Sequence, residues 1–124
     1  MSEKLAQLEK KGGGGSGSFK SLDDIVFTFP ASWAGRTDSE TIDVSSAKQL
    51  LVGKVNVAAG ASQTWSFDIK DNNGNTLFSQ GNTTAASYSN GLGLFDVSNA
   101  SAVTFNVSTN YNATFTFSQL GLIS

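Results

Sequence analysis

From residue 25 onward, apolar and polar positions alternate with the period of two that marks half-buried β-strands. Ile25, Phe27 and Phe29 alternate with Val26 and Thr28 until Pro30 stops the run. A short strand is expected over 41–44. The stretch 49–57 sets Leu51, Val55 and Val57 on one face, with Gly53 marking a bulge or a close backbone approach. The clearest strand is 64–70, where Trp65, Phe67 and Ile69 point one way and Thr64, Ser66, Asp68 and Lys70 the other. Further strands follow at 76–79, 92–97, 103–108 and 113–118, the last two carrying Val103, Phe105, Val107, Phe115 and Phe117 toward the core. About eight strands separated by turns predict an all-β fold: an antiparallel β-sandwich of jelly-roll type.

The chain ahead of this pattern is built differently. Met1, Leu5 and Leu8 fall at spacings of four and three, a d-a-d heptad seam, with Glu3, Lys4, Gln7, Glu9 and Lys10 on the other faces. Residues 1–11 therefore read as a short amphipathic helix, and 12–18 (GGGGSGS) as a flexible linker to a sandwich domain over 19–124. A helix this short is marginal alone in water, so its seam calls for a partner and reads as an anchor or an oligomerisation element. The plainer alternatives stay open: a frayed polar tail, or a linker of the engineered GGGGS kind with a helix foreign to the domain.

Composition narrows the chemistry. Nine Phe and two Trp supply large apolar side chains in a 124-residue chain in which 15% of residues are charged. A net charge of -2 and a pI near 4.8 provide no basic field for phosphates, so neither nucleic acid nor an anionic membrane is an expected partner. No apolar run approaches the ~20 residues of a membrane span, and the N-terminus lacks the apolar stretch of a secretion signal. Without Cys or His, there is no thiolate nucleophile, no Ser-His-Asp triad and no imidazole or sulfur metal ligand. Nothing among the ten carboxylates selects the pair that glycoside hydrolysis requires; Asp23-Asp24 and Asp38 with Glu40 read as solvated turns and a polar loop. The expectation is a protein that is not an enzyme and holds no cofactor or metal.

Several motifs resolve into turn chemistry. Asp71-Asn72-Asn73-Gly74-Asn75 resembles the opening of a calcium loop, but Gly is fourth rather than sixth and the twelfth position is Asn82, so a hairpin turn is expected. The series Ile42-Asp43-Val44-Ser45-Ser46-Ala47 is echoed by Phe95-Asp96-Val97-Ser98-Asn99-Ala100, which predicts two similar Asp/Ser corners rather than paired binding sites. The aromatics outside the alternation, Trp33 with Arg36 and Tyr88 with Tyr111, are all taken to lie in loops: they either plug the sandwich or meet a partner subunit, or they form an exposed platform for a glycan, and the first is preferred because the loops lack a cluster of paired acidic and amide residues around one ring.

The stretches 40–45 (ETIDVS), 65–75 (WSFDIKDNNGN) and 95–98 (FDVS) give residues 22–124 a texture that resembles the small β-sandwich modules in virion appendages of tailed bacteriophages: head fibres, capsid decoration proteins and tail or baseplate fibres. It is also similar to carbohydrate-binding modules of jelly-roll type. The phage resemblance implies a structural protein of the virion, docked to a capsid or tail protein or trimerised through its N-terminus, with the sandwich projecting outward. The alternative is a carbohydrate-binding module for a cell-surface or extracellular glycan.

Overall fold

A computed structural model describes residues 18–30, 36–60 and 64–124. The expected helix and its Met1, Leu5 and Leu8 seam, most of the linker, and Trp33 lie outside the described residues.

The described chain is all β, in two antiparallel sheets. In the first, β1 (Phe19–Leu22) and β2 (Ile25–Phe29) share one edge of β10 (Ala113–Ile123); β10 pairs β4 (Gln49–Ala59), whose other edge is shared by β7 (Ser87–Asn90) and β8 (Gly93–Asp96). The second sheet runs β3 (Arg36–Asp43), β9 (Ala102–Thr109), β5 (Trp65–Asp71), β6 (Thr76–Thr83). Ten strands thus fill eight sandwich positions, and the chain passes from sheet to sheet in the two Greek keys of a jelly roll. The sequence pattern missed β1 and β7: both are four residues long and carry no clear alternation.

Alternation sets the core as expected. Trp65, Phe67, Ile69, Val103, Phe105, Val107, Phe115 and Phe117 are all buried. Phe105 and Phe117 meet edge to face with centroids 5.0 Å apart, as do Trp65 and Phe115 at 5.9 Å, while Trp65 and Phe67 stack nearly parallel at 6.3 Å.

In β4 the expected facing fails: Leu50 and Val52 point into the core beside Val55 and Val57, whereas Leu51 lies on the outer face. The inward parity changes at Gly53. Opposite it in β10, Gln119 has φ 54, and the inward residues change from Phe115 and Phe117 to Leu120 and Leu122. The same change occurs on both flanks, between β1 and β2 at Asp23-Asp24 and between β7 and β8 at Gly91-Leu92, while the pairing register continues unbroken on either side. One crease therefore crosses the whole first sheet. A left-handed residue turns the following side chain to the other face, and a strand stays paired only if its neighbour turns with it. Glycine is required at position 53 because a Cβ there would sit 2.6 Å from Gln119 Cβ and 2.8 Å from its carbonyl oxygen.

Asp38 and Glu40 lie in β3 rather than in a loop. They pair with Val107 and Phe105 and so share the inner side of the sheet, yet both are exposed because β3 is an edge strand. Inward-pointing charge on an edge discourages pairing with another chain.

The sandwich has two poles. The proximal pole holds both described chain ends: Ser18 N donates to Ser124 Oγ (3.3 Å) and Ser124 N to the Ser18 carbonyl (3.0 Å). It also carries the turns after β3, β5 and β8. The distal pole carries Pro30, the start of β3 at Arg36, Thr64, Ala85 and the Asn110–Asn112 turn.

Candidate functional site

The proximal corners explain the sequence echo. Asp43 Oδ1 accepts from Ser45 N (2.8 Å) and Ser45 Oγ (2.6 Å); Asp96 Oδ1 accepts from Ser98 N (2.9 Å) and Ser98 Oγ (2.7 Å). In each corner the next residue, Val44 or Val97, plugs the core, and its carbonyl accepts from Ala47 N or Ala100 N at 2.9 Å. The repeat is one Asp/Ser corner used twice. The Asp71–Asn75 hairpin turn locks onto the second corner, with Gly74 at φ 88, Asp71 Oδ1 accepting from Asn73 N and Asn75 N, and Asn72 Oδ1 accepting from Ser101 N. These hydrogen bonds hold three carboxyls below their ordinary range: Asp43 and Asp96 chiefly through the Ser45 and Ser98 hydroxyls, Asp71 chiefly through Asn75 N–H. A general acid needs a shift in the opposite direction. Among the described residues, no group of three or more Asp or Glu side chains is arranged to hold a metal ion.

At the distal pole the described candidate contact residues each have partners within the sandwich. Arg36 Nη2 donates to the Pro30 carbonyl, and its guanidinium lies 5.7 Å from the Phe29 ring centroid, so it ties the start of β3 to the end of β2. Tyr88 lies in β7 rather than in a loop. Its ring packs edge to face on Trp65 (5.5 Å) and Phe67 (6.0 Å), while its hydroxyl accepts from Asn90 Nδ2 at 3.3 Å. Tyr88 thus completes the aromatic core. Tyr111 is half-buried in the turn after β9, its N–H donating to Thr109 Oγ1 at 3.3 Å. Nearby, Asn110 Oδ1 accepts from Thr64 N (2.9 Å) and Trp65 Nε1 donates to the Ala85 carbonyl (2.8 Å), so side chains brace this pole to its loops.

Two surface features escaped the sequence pattern. One is a shallow groove of about 500 Å³ on the outer face of the second sheet, lined by Thr37, Ser39, Ser66, Asp68, Asn106 and Ser108, with Asn106 Nδ2 donating to Asp68 Oδ1 at 2.9 Å. It offers hydroxyl, amide and carboxylate groups; its one ring, Phe67, is buried in the core behind it. The other is an apolar strip on the outer face of the first sheet. Cross-strand pairing aligns Ser21, Gly121, Leu51 and Leu94 in one row, and Phe19, Ile123, Gln49 and Asp96 in the next, so the apolar side chains gather on β1, β10 and the Leu51–Leu94 pair. Its signal in the sequence was Phe19 directly after the linker, together with a Leu51 that fits only an outer face once β4 changes parity.

No protein-family model matches the chain, and no curated protein is similar to it in sequence. Among solved structures, the SPBc2 prophage-derived protein YomS is similar at 18% identity with a TM-score of 0.42, over 82% of this chain and 94% of that one. A chain in the structure of infectious bursal disease virus Gx strain is similar at 12% identity with a TM-score of 0.48, over 89% of this chain and 32% of that one. The infectious bursal disease virus VP2 subviral particle is similar at 15% identity with a TM-score of 0.41, over 88% of this chain and 33% of that one. This chain thus spans nearly all of the prophage protein and about a third of the two viral chains.

Proposed function

We propose that this chain is a non-enzymatic structural protein of a phage virion, attached through its N-terminal segment and displaying the β-sandwich as a head-fibre, decoration or tail-fibre module. The observation that carries this reading is the pole at which Ser18 enters the sandwich. Ser18 and Ser124 meet at the proximal pole, so a linker running into Ser18 holds the sandwich by one pole and turns the distal loops outward. Side-chain hydrogen bonds spent on corners, and carboxyls held ionised by those corners, suit a rigid spacer better than a catalyst. On the virion the Met1, Leu5 and Leu8 seam would bind a capsid or tail protein, with a homotrimer the favoured assembly. The test is gradient-purified phage particles carrying an epitope-tagged chain. The tag should co-sediment with the particles and be lost from them when residues 1–17 are deleted; a chain found only in the soluble fraction overturns the reading. A glycan array run with the full chain and with Trp33→Ala addresses the carbohydrate-binding alternative: a hit lost on mutation would favour it over display.

A further inference from the structure

Apolar side chains on the outer faces of this sandwich gather beside the point where the linker arrives. Phe19 and Leu94 are 50% and 52% exposed, Leu51 and Ile123 are half-buried, and all four stand on the outer face of the first sheet at its proximal end. Gly121 lies among them, and the Phe19 ring lies against it, so that any Cβ there would meet the ring. Beyond the crease the same face turns polar, with Asn56, Thr114, Thr116, Ser118 and Ser89 outward and Val26 the single large apolar exception. An apolar strip confined to one end of an otherwise polar face marks a contact surface.

We propose that this strip is the dock for the chain's own residues 1–11, which lay Met1, Leu5 and Leu8 onto Phe19, Leu51, Leu94 and Ile123. Reach and area both select this occupant. Seven linker residues span about 24 Å at full extension and about 15 Å on average, against about 14 Å across the sheet from β1 to β8. Four partly covered side chains present on the order of 200 to 300 Å² of apolar surface, well short of the roughly 800 Å² per partner of a stable protein pair. Such a strip is too small for an untethered partner. A short linker, however, supplies an effective concentration in the millimolar range, where a weak contact is occupied. Docking also gives a three-turn segment the apolar partner it needs to hold a helix. A seam held on its own sandwich is withheld from other partners until an assembly competes for it. The dock is read in the isolated chain and attachment is read on the particle, so either can fail alone.

The experiment compares amide spectra of the ¹⁵N-labelled full chain with those of a Leu5→Ser/Leu8→Ser double variant. The dock requires shift changes concentrated in Phe19–Leu22, Gly93–Asp96, the Leu120–Ile123 end of β10 and Leu51, with Trp65–Asp71 unmoved. It also requires that Leu94→Ser, at a half-exposed position, move the amides of residues 1–11, and that both effects persist unchanged over a tenfold dilution of a monomer by light scattering. Spectra that superimpose along the strip overturn the proposal. Changes that fade on dilution as the mass falls overturn it too, and identify a second copy as the occupant.

Discussion

Replacing Gly53 by Ala tests the crease that organises the first sheet. The added methyl would sit 2.6 Å from Gln119 Cβ, 2.8 Å from the Gln119 carbonyl oxygen and 3.0 Å from its side-chain oxygen. Only the last of these can swing away. Gln119 is already at φ 54, a left-handed conformation costly for a residue with a Cβ, so its backbone has little room to retreat. Overpacking of this kind costs about 1 to 3 kcal/mol, and removing a glycine's freedom from the unfolded chain returns about 0.4 to 1 kcal/mol. The net loss centres on about 1.3 kcal/mol, or roughly 5 to 10 °C in Tm for a sandwich of this size. Gly81→Ala is the matched control: it too lies in a strand, but nothing stands within 4 Å of its added Cβ, so it should leave Tm unchanged or raise it slightly. Both are read by thermal and urea unfolding monitored through tryptophan fluorescence, with Trp65 buried as the reporter. If Gly53→Ala melts within about 2 °C of Gly81→Ala, the two central strands are not pressed together at the crease and this account of the parity change is wrong.

Phe105 is fully buried with its ring 5.0 Å from that of Phe117, so Phe105→Ala should cost about 3 to 5 kcal/mol in urea unfolding; a loss under about 1 kcal/mol would put the ring outside the core. Asp43, Asp71 and Asp96 titrate lower in the fold than in the unfolded chain. Their stabilisation is complete above the ordinary carboxylate range near pH 4 and is lost as pH falls through the folded values. The urea midpoint should therefore drop on acidification from about pH 5 to pH 3. Asp→Asn at all three positions should flatten that drop, and parallel curves for the two proteins would count against the corners as its source. Replacing the inward charges of the β3 edge, Asp38→Val with Glu40→Thr, should produce concentration-dependent association in light scattering, and a variant that stays monodisperse would show that the edge is guarded by something else.

Whatever depends on neighbours in sequence was legible before the structure. Alternation placed Trp65, Phe67, Ile69, Val103, Phe105, Val107, Phe115 and Phe117 inside, because a one-residue slip would bury Asp68 and Lys70 instead. The Asp43, Asp71 and Asp96 turns were equally legible, since each carboxylate bonds backbone two to four residues ahead. What tertiary structure alone decided is whatever depends on the strand next door. Leu51 faces outward rather than inward because β4 changes parity where β10 does, and period two read along a single strand has no term for its neighbour's dihedral angles. The segments FKSL and SYSN become strands only because long central strands offer them unpaired backbone, and Tyr88 leaves its expected loop for the core by the same pairing. The proximal apolar strip belongs with these. Phe19, Leu51, Leu94 and Ile123 are scattered over more than a hundred positions of sequence, and pairing in register brings them onto one end of one face.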